Sequence, residues 1–204
     1  MSGVDPANAV SPEEKVKTMT GLLKEIDERR AKRALSDKKI PEEVVARFMK
    51  AATYAPSCFN SQPWRFMVAN EQASLDKLHA ALSGGNYWAK KAPVLVIVAT
   101  KLSFDARLSD GRDYALLGCG LAMENLLLQA VADGLYAHPM AGFDPLAVKE
   151  SFGIPEDYIV ANLIAVGYPG PLDGLSEKHV AAENGERSRK DEDEVICFNH
   201  WSFE

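Results

Sequence analysis

The chain has 204 residues, long enough for one sizeable core or two small ones. With 47% hydrophobic and 25% charged residues and no low-complexity tract, it reads as a soluble globular protein. A net charge of −6 without a concentrated basic face argues against nucleic acid as a partner, and with no run of about 18 apolar residues found, no membrane span is expected.

In chain order, Met1–Asn8 lacks the basic-then-apolar order of a signal peptide. Pro12 to about Glu28 reads as a helix, with Ser11 as N-cap and an apolar face of Val16, Met19, Leu22, Leu23 and Ile26. The basic cluster Arg29-Arg30-Ala31-Lys32-Arg33 follows. Pro41 opens a second helix with the stripe Val44, Val45, Phe48, Met49, Ala52, and it ends at Pro56. Arg65–Ala69 reads as a short strand and Gln72–Leu82 as a helix stopped by Gly84-Gly85. The continuous branched run from Pro93 to Thr100 predicts a strand buried on both faces, and Tyr158–Tyr168 contains a second. Between these strands, Asp144-Pro145 caps a short helix ending near Gly153. Strands interleaved with helices predict a three-layer arrangement around a mixed sheet.

The segment Asp113–Asp133 is apolar or small around most of its helical circumference. Such a helix is buried on all sides, either within its own chain or by a partner subunit. Gly118, Gly120 and Ala122 favour the partner, because small residues let two helix backbones approach. Leu172–Glu194 is polar and reads as a solvated excursion, after which Val195–Phe203 turns strand-like and aromatic. No polar linker divides the chain, so 1–204 is read as one domain.

The chemistry-bearing motifs are few. Gly118-Cys119-Gly120 has Met123 where a dinucleotide fingerprint needs its third glycine, and it lies inside a predicted helix, so that fingerprint is rejected. Cys58, Cys119 and Cys197 form no CxxC pair and the four histidines are scattered, so neither a redox dithiol nor a metal site is expected. Free thiols in an untargeted chain fit a reducing cytoplasm. Cys58 lacks a neighbouring histidine to activate it as a nucleophile. Arg29 and Arg33 are four apart and would share one face of a continued helix. Arg187 and Arg189 are two apart and would share one side of an extended segment. Paired guanidinium forks suit a phosphate or carboxylate; the plain alternative is a solvated basic face.

Six fragments, in order, resemble the nitroreductase family of FMN-dependent oxidoreductases: ERRAKRAL, AATYAPSCFNSQPWRF, GGNYWAKKAPVLVIVA, GLAMENLLLQAVADGLYAHPMAGFD, IVANLIAVGYPG and RSRKDEDEVICFNHW. The most specific is the Pro-Ser-x-x-Asn-Ser-Gln-Pro-Trp block. The resemblance implies an α+β fold with a mixed central β-sheet flanked by helices, and an intertwined homodimer with FMN at its interface. It implies hydride transfer from NADH or NADPH through flavin N5 to a nitroaromatic, quinone or similar electron-poor acceptor, in a ping-pong cycle without a catalytic side chain. A specialised flavoenzyme acting on one metabolite and a non-catalytic flavin-binding dimer are the alternatives.

By position, the resemblance places Arg29, Arg30, Ala31 and Arg33 near the flavin phosphate and pyrimidine edge. It places Pro56, Ser57, Cys58 and Asn60 in a loop that the partner lays against the isoalloxazine. Asn86 would read the polar edge of the ring, Ala141 and Gly142 would approach N5 through their backbone, and Arg187 and Arg189 would grip the phosphate. Ala31 stands where many relatives carry a serine hydroxyl, Ala141 replaces an acidic residue of some members, and the 101–112 connection is short where some members carry a helical lid.

Overall fold

The computed structural model describes residues 21–203. The first half of the expected Pro12–Glu28 helix, with its Ser11 cap, lies outside these residues; the described part is α1 (Lys24–Glu28). The order continues α2 (Glu42–Thr53), β1 (Arg65–Ala69), α3 (Gln72–Ala81), β2 (Val94–Thr100), α4 (Tyr114–Ala132), β3 (Tyr136–Met140), α5 (Pro145–Phe152), β4 (Ile159–Gly167) and α6 (Glu177–Asn184). Short 3-10 turns lie at Cys58–Asn60, Gly84–Lys91, Leu102–Phe104 and Glu192–Glu194.

Strand β2 organises the molecule. All seven of its residues are buried, as its unbroken apolar sequence predicts. Successive side chains point to opposite faces of a strand. Val94, Val96 and Val98 therefore enter one core with Val45, Phe48 and Ala52 of α2 and Ala122 and Leu126 of α4. Leu95, Ile97 and Ala99 enter a second core with Leu75 and Leu78 of α3 and Val148 of α5. On β4, Ile164 and Val166 join the first core, and Leu163 and Ala165 the second. The three layers expected from the sequence are present, and the fold is α+β.

The sheet order is β1-β2-β4-β3, and every pairing among the described residues is antiparallel, where a mixed sheet was expected. Between β1 and β2 the chain traverses α3 and then the Gly84–Lys91 turn, which returns it to the same end of the sheet. Strand β3, with Pro139 inside it, escapes the sequence pattern. It lies at the sheet edge, where a missing N–H is tolerated. The expected strand-like tail forms no strand: Val195, Ile196, Phe198 and Trp201 are exposed. The polar excursion after Leu172 contains α6, whose Glu183 is buried.

Helix α4 is long and apolar enough by composition to cross a membrane, although Glu124, Asn125 and Gln129 interrupt its apolar sequence. It is a core helix: Ala115, Gly118, Cys119, Ala122, Leu126, Leu127 and Ala130 are buried against the sheet and α2. Its other face leaves Leu116, Leu117 and Leu121 40–55% exposed, so the described residues do not close around it.

Local chemistry sets the ends of the elements. Asp144 Oδ1 accepts the Leu146 and Ala147 N–H groups at 2.9 and 3.1 Å, and Gly153 closes α5 at φ 63°. Beyond β4, Ser36 N–H donates to the Tyr168 carbonyl at 2.9 Å and Gly170 N–H to the Ala34 carbonyl at 2.8 Å. This lays residues 34–36 along the extension of β4. A Cβ on Gly170 would stand 2.4 Å from the Leu35 carbonyl carbon, a backbone atom that cannot turn aside. Gly170→Ala is expected to destabilise the protein by about 3 kcal/mol, read as a lowered denaturation midpoint; an unchanged midpoint would contradict the close approach.

Candidate functional site

Helix α1 stops at Glu28, so the continued helix that would align Arg29 with Arg33 is absent and residues 29–33 run without helical structure. Four other contacts hold this segment. Arg29 Nε lies 3.4 Å from Glu124 Oε1 of α4. Arg30 Nη2 donates to the Gly185 carbonyl at 2.7 Å. Arg33 N–H donates to Glu183 Oε1 at 2.7 Å. The Lys32 ammonium donates to the Glu183 carbonyl.

Arg29, Arg30 and Arg187, with the exposed Arg189, line one cavity of about 250 Å³, together with Ala31 and Lys32. Glu186 is the only acid among the lining residues. Both basic pairs singled out in the sequence thus contribute to one place, though Arg33 does not line it. Arg187 has a second task. Its Nη2 donates to the Asp27 and Arg29 carbonyls at 2.5 and 2.7 Å, satisfying acceptors at the C-terminal end of α1. Burial, then the charges of Arg189, Arg30 and Arg29, lower its pKa, although an arginine stays charged. The cavity therefore concentrates positive charge, which Glu186 in its wall and Glu124 beside Arg29 offset only in part.

Beside it, Arg33 stands over the buried Trp88 ring, its Cζ 5.9 Å from the centroid. His138 packs on the same ring at 4.4 Å, and its Nδ1 lies 3.1 Å from the Lys32 carbonyl, which can only accept. Burial is the main cause that lowers the His138 pKa to about 4, with Arg33 and His179 adding to it. His138 is thus neutral at pH 7, with its proton on Nδ1.

Asn86 donates one amide N–H to the Gly142 carbonyl at 2.8 Å. A Cβ on Gly142 would stand 2.8 Å from that amide nitrogen, so the glycine makes room for Asn86. Ala141 is exposed. The loop of Pro56, Ser57 and Cys58 lies elsewhere: it lines a separate, mainly apolar cavity of about 210 Å³ against Leu117, Gly118 and Leu121 of α4. Phe59, Asn60 and Gln62 all have φ near +50°, a costly conformation for residues other than glycine. Ser57 Oγ accepts the Gln62 N–H at 2.9 Å, and Ser61 Oγ donates to the Cys58 carbonyl at 2.6 Å, which fixes the turn. Phe59 is left 94% exposed.

Comparison with known proteins gives these features a family. The model of the nitroreductase family matches residues 26–86 and 79–168. The chain belongs to the nitroreductase family. A protein of Archaeoglobus fulgidus named for NADH dehydrogenase/NAD(P)H nitroreductase is 32% identical over 160 residues, covering 74% of this chain and 87% of its own. A Thermus thermophilus NADH dehydrogenase is 29% identical over 176 residues, covering 69% and 83%. Among solved structures, an oxidoreductase containing FMN superposes with a TM-score of 0.77 at 27% identity, covering 86% of this chain and 90% of that one.

Seen as a nitroreductase-family chain, the molecule gathers Arg29, Arg30, Ala31, Arg187 and Arg189 at one cavity and keeps Pro56, Ser57 and Cys58 at another. Sequence reading missed Glu183, Trp88 and His138. Glu183 sits in a polar stretch that carries no buried pattern, and the other two look like ordinary interior residues.

His138 gives this region a pH signature. The unfolded chain takes up a proton near pH 6.5, whereas the folded chain resists it down to about pH 4. The His138 contribution to stability is therefore complete above pH 6.5 and is lost as pH falls toward 4, by about 3 kcal/mol. Denaturant titrations from pH 7.5 to 4 should show wild type losing more stability than His138→Gln; parallel curves would contradict the buried neutral imidazole.

Proposed function

We propose that the protein is an FMN-dependent oxidoreductase that oxidises NADH or NADPH and reduces a flat, electron-poor acceptor such as a nitroaromatic compound or a quinone. The observation that carries this reading is the cavity in which four arginines converge. An FMN phosphate brings nearly two negative charges, and charge-assisted hydrogen bonds to it contribute about 1.5–3 kcal/mol each. At about 250 Å³ the cavity is smaller than a typical small-molecule site of about 300–1,000 Å³. It suits the phosphate end of the cofactor rather than the whole.

Arg29, Arg30 and Arg189 would hold the phosphate, with Arg187 adding charge while it ties down α1. Ala31 supplies no hydroxyl there. Arg33, whose backbone and ring contacts fix its base, is the cation for the pyrimidine edge of the ring. Asn86 keeps its oxygen and second N–H for the polar edge, and Ala141 and Gly142 offer backbone toward N5. FMN held by these residues would supply the hydride-transfer chemistry between nicotinamide and acceptor, in separate half-reactions.

The ring itself would need an apolar wall, and among the described residues lining this cavity only Ala31 and Ala182 are apolar. Pro56, Ser57, Cys58 and Asn60 are proposed to supply it from a second copy. The exposed leucines of α4 and the exposed aromatic tail favour a homodimer, because apolar surface of this extent is unfavourable in water. The described cysteines, Cys58, Cys119 and Cys197, are all unpaired, in keeping with a cytoplasmic protein.

Purified protein is expected to be yellow, to release FMN on denaturation, and to bleach when NADH or NADPH is added without oxygen. A nitro compound or quinone should then restore the colour. Colourless protein that takes up no FMN would overturn the proposal, and a bound flavin that neither nicotinamide reduces would point to a storage dimer.

A further inference from the structure

Glu183 is 7% exposed, unusual for a carboxylate without close pairing. Its Oε1 accepts the Arg33 backbone N–H at 2.7 Å, its Oε2 lies 3.9 Å from Lys32 Nζ, and its carbonyl accepts the same ammonium. Two residues later the Gly185 carbonyl accepts from Arg30, and the chain then enters the cavity wall at Glu186–Arg189. The other end of α6 is also pinned: Ser176 N–H donates to Tyr87 Oη at 2.7 Å, and that hydroxyl lies 3.1 Å from His179 Nδ1. One buried carboxylate thus joins the two stretches of chain, 29–33 and 185–189, that carry the arginines.

Two costs attend this arrangement. Burying a carboxylate removes its hydration, and a hydrophobic residue of similar size often does as well for stability. A negative charge beside a cavity for anions also weakens anion binding by simple Coulomb repulsion. A residue that carries both costs at this position acts through geometry.

We infer that Glu183 is a positioning residue that holds the two arginine-bearing segments in register to read the phosphate of the cofactor. The inference rests on the reading of the cavity as a phosphate site. Glu183 is not among the residues lining the cavity; it fixes the backbone from which Arg29, Arg30 and Arg189 reach. Positioning and charge make opposite predictions. Glu183→Gln removes the charge but keeps an oxygen for the Arg33 N–H, whereas Glu183→Ala removes both.

The test equilibrates full-length protein with an excess of equimolar FMN and riboflavin, which lacks the phosphate, and reads the ratio of bound flavins after gel filtration and denaturation. Wild type is expected to retain FMN strongly over riboflavin. Glu183→Ala should lower that ratio about tenfold or more, and Glu183→Gln should stay within about threefold of wild type. If Glu183→Ala does not fold, Glu183→Asp carries the same test, since it keeps the charge but withdraws the oxygen, and it too should lower the ratio. A ratio that rises in both variants would overturn the inference in favour of charge alone. An unchanged ratio, even with less total flavin, would reduce Glu183 to a general structural prop. Wild type that binds riboflavin as readily as FMN would overturn the phosphate reading itself, and the inference with it.

Discussion

Four guanidinium groups share one small cavity, and like charges at such range repel. Much of the surrounding structure can be read as the means of holding them there. Residues 34–36 lie along the extension of β4, where a side chain at Gly170 would strike the Leu35 backbone. The Glu183 carboxylate takes the Arg33 N–H, the Gly185 carbonyl takes Arg30, and Arg187 is spent on carbonyls at the end of α1. Such a pocket presents a positive potential to an anion, less what Glu186 and Glu124 offset.

The frame that supports this pocket follows from the two-sided burial of β2. Alternate residues of one strand feed two cores, so α2 and α4 are fixed on one face and α3 and α5 on the other. The second core carries Trp88, on which Arg33 and His138 rest. The basic segment is thereby coupled to the sheet through a buried aromatic ring.

Much of this was legible in the sequence, for physical reasons. PVLVIVAT admits little besides a buried strand, Asp144-Pro145 and Gly153 are strong helix signals, and the spacing of Val45, Phe48 and Ala52 marks one helix face. The arginines were legible as pairs of the kind that phosphate chemistry uses. What was hidden depends on tertiary context. A proline made β3 unreadable because nothing local says that a strand will sit at an edge. Glu183 lies among polar residues, and only the packing of α6 buries it. Arg29 and Arg33 were assigned to one helix face, yet the helix ends before them and it is α6 and β4 that bring the segment into place. The tail, apolar and aromatic, reads like a strand but pairs with no strand among the described residues.

That exposed tail, the exposed leucines of α4 and the strained Phe59–Gln62 turn share one property: each is poorly explained by a lone chain. The arginine cavity and the Pro56–Cys58 loop are the two halves of the proposed flavin site, and in one chain they line different cavities. The central claim is that each complete site takes its phosphate half from one copy and its ring wall from the other. Two inactive variants test it most directly: Arg29→Ala combined with Arg189→Ala, and Ser57→Trp combined with Asn60→Ala. Neither alone should retain FMN. Refolded together from a denatured mixture, they should regain flavin and NAD(P)H oxidation at about one site in four, because a mixed dimer rebuilds one intact site. Mixed dimers that form but stay colourless would contradict a shared site.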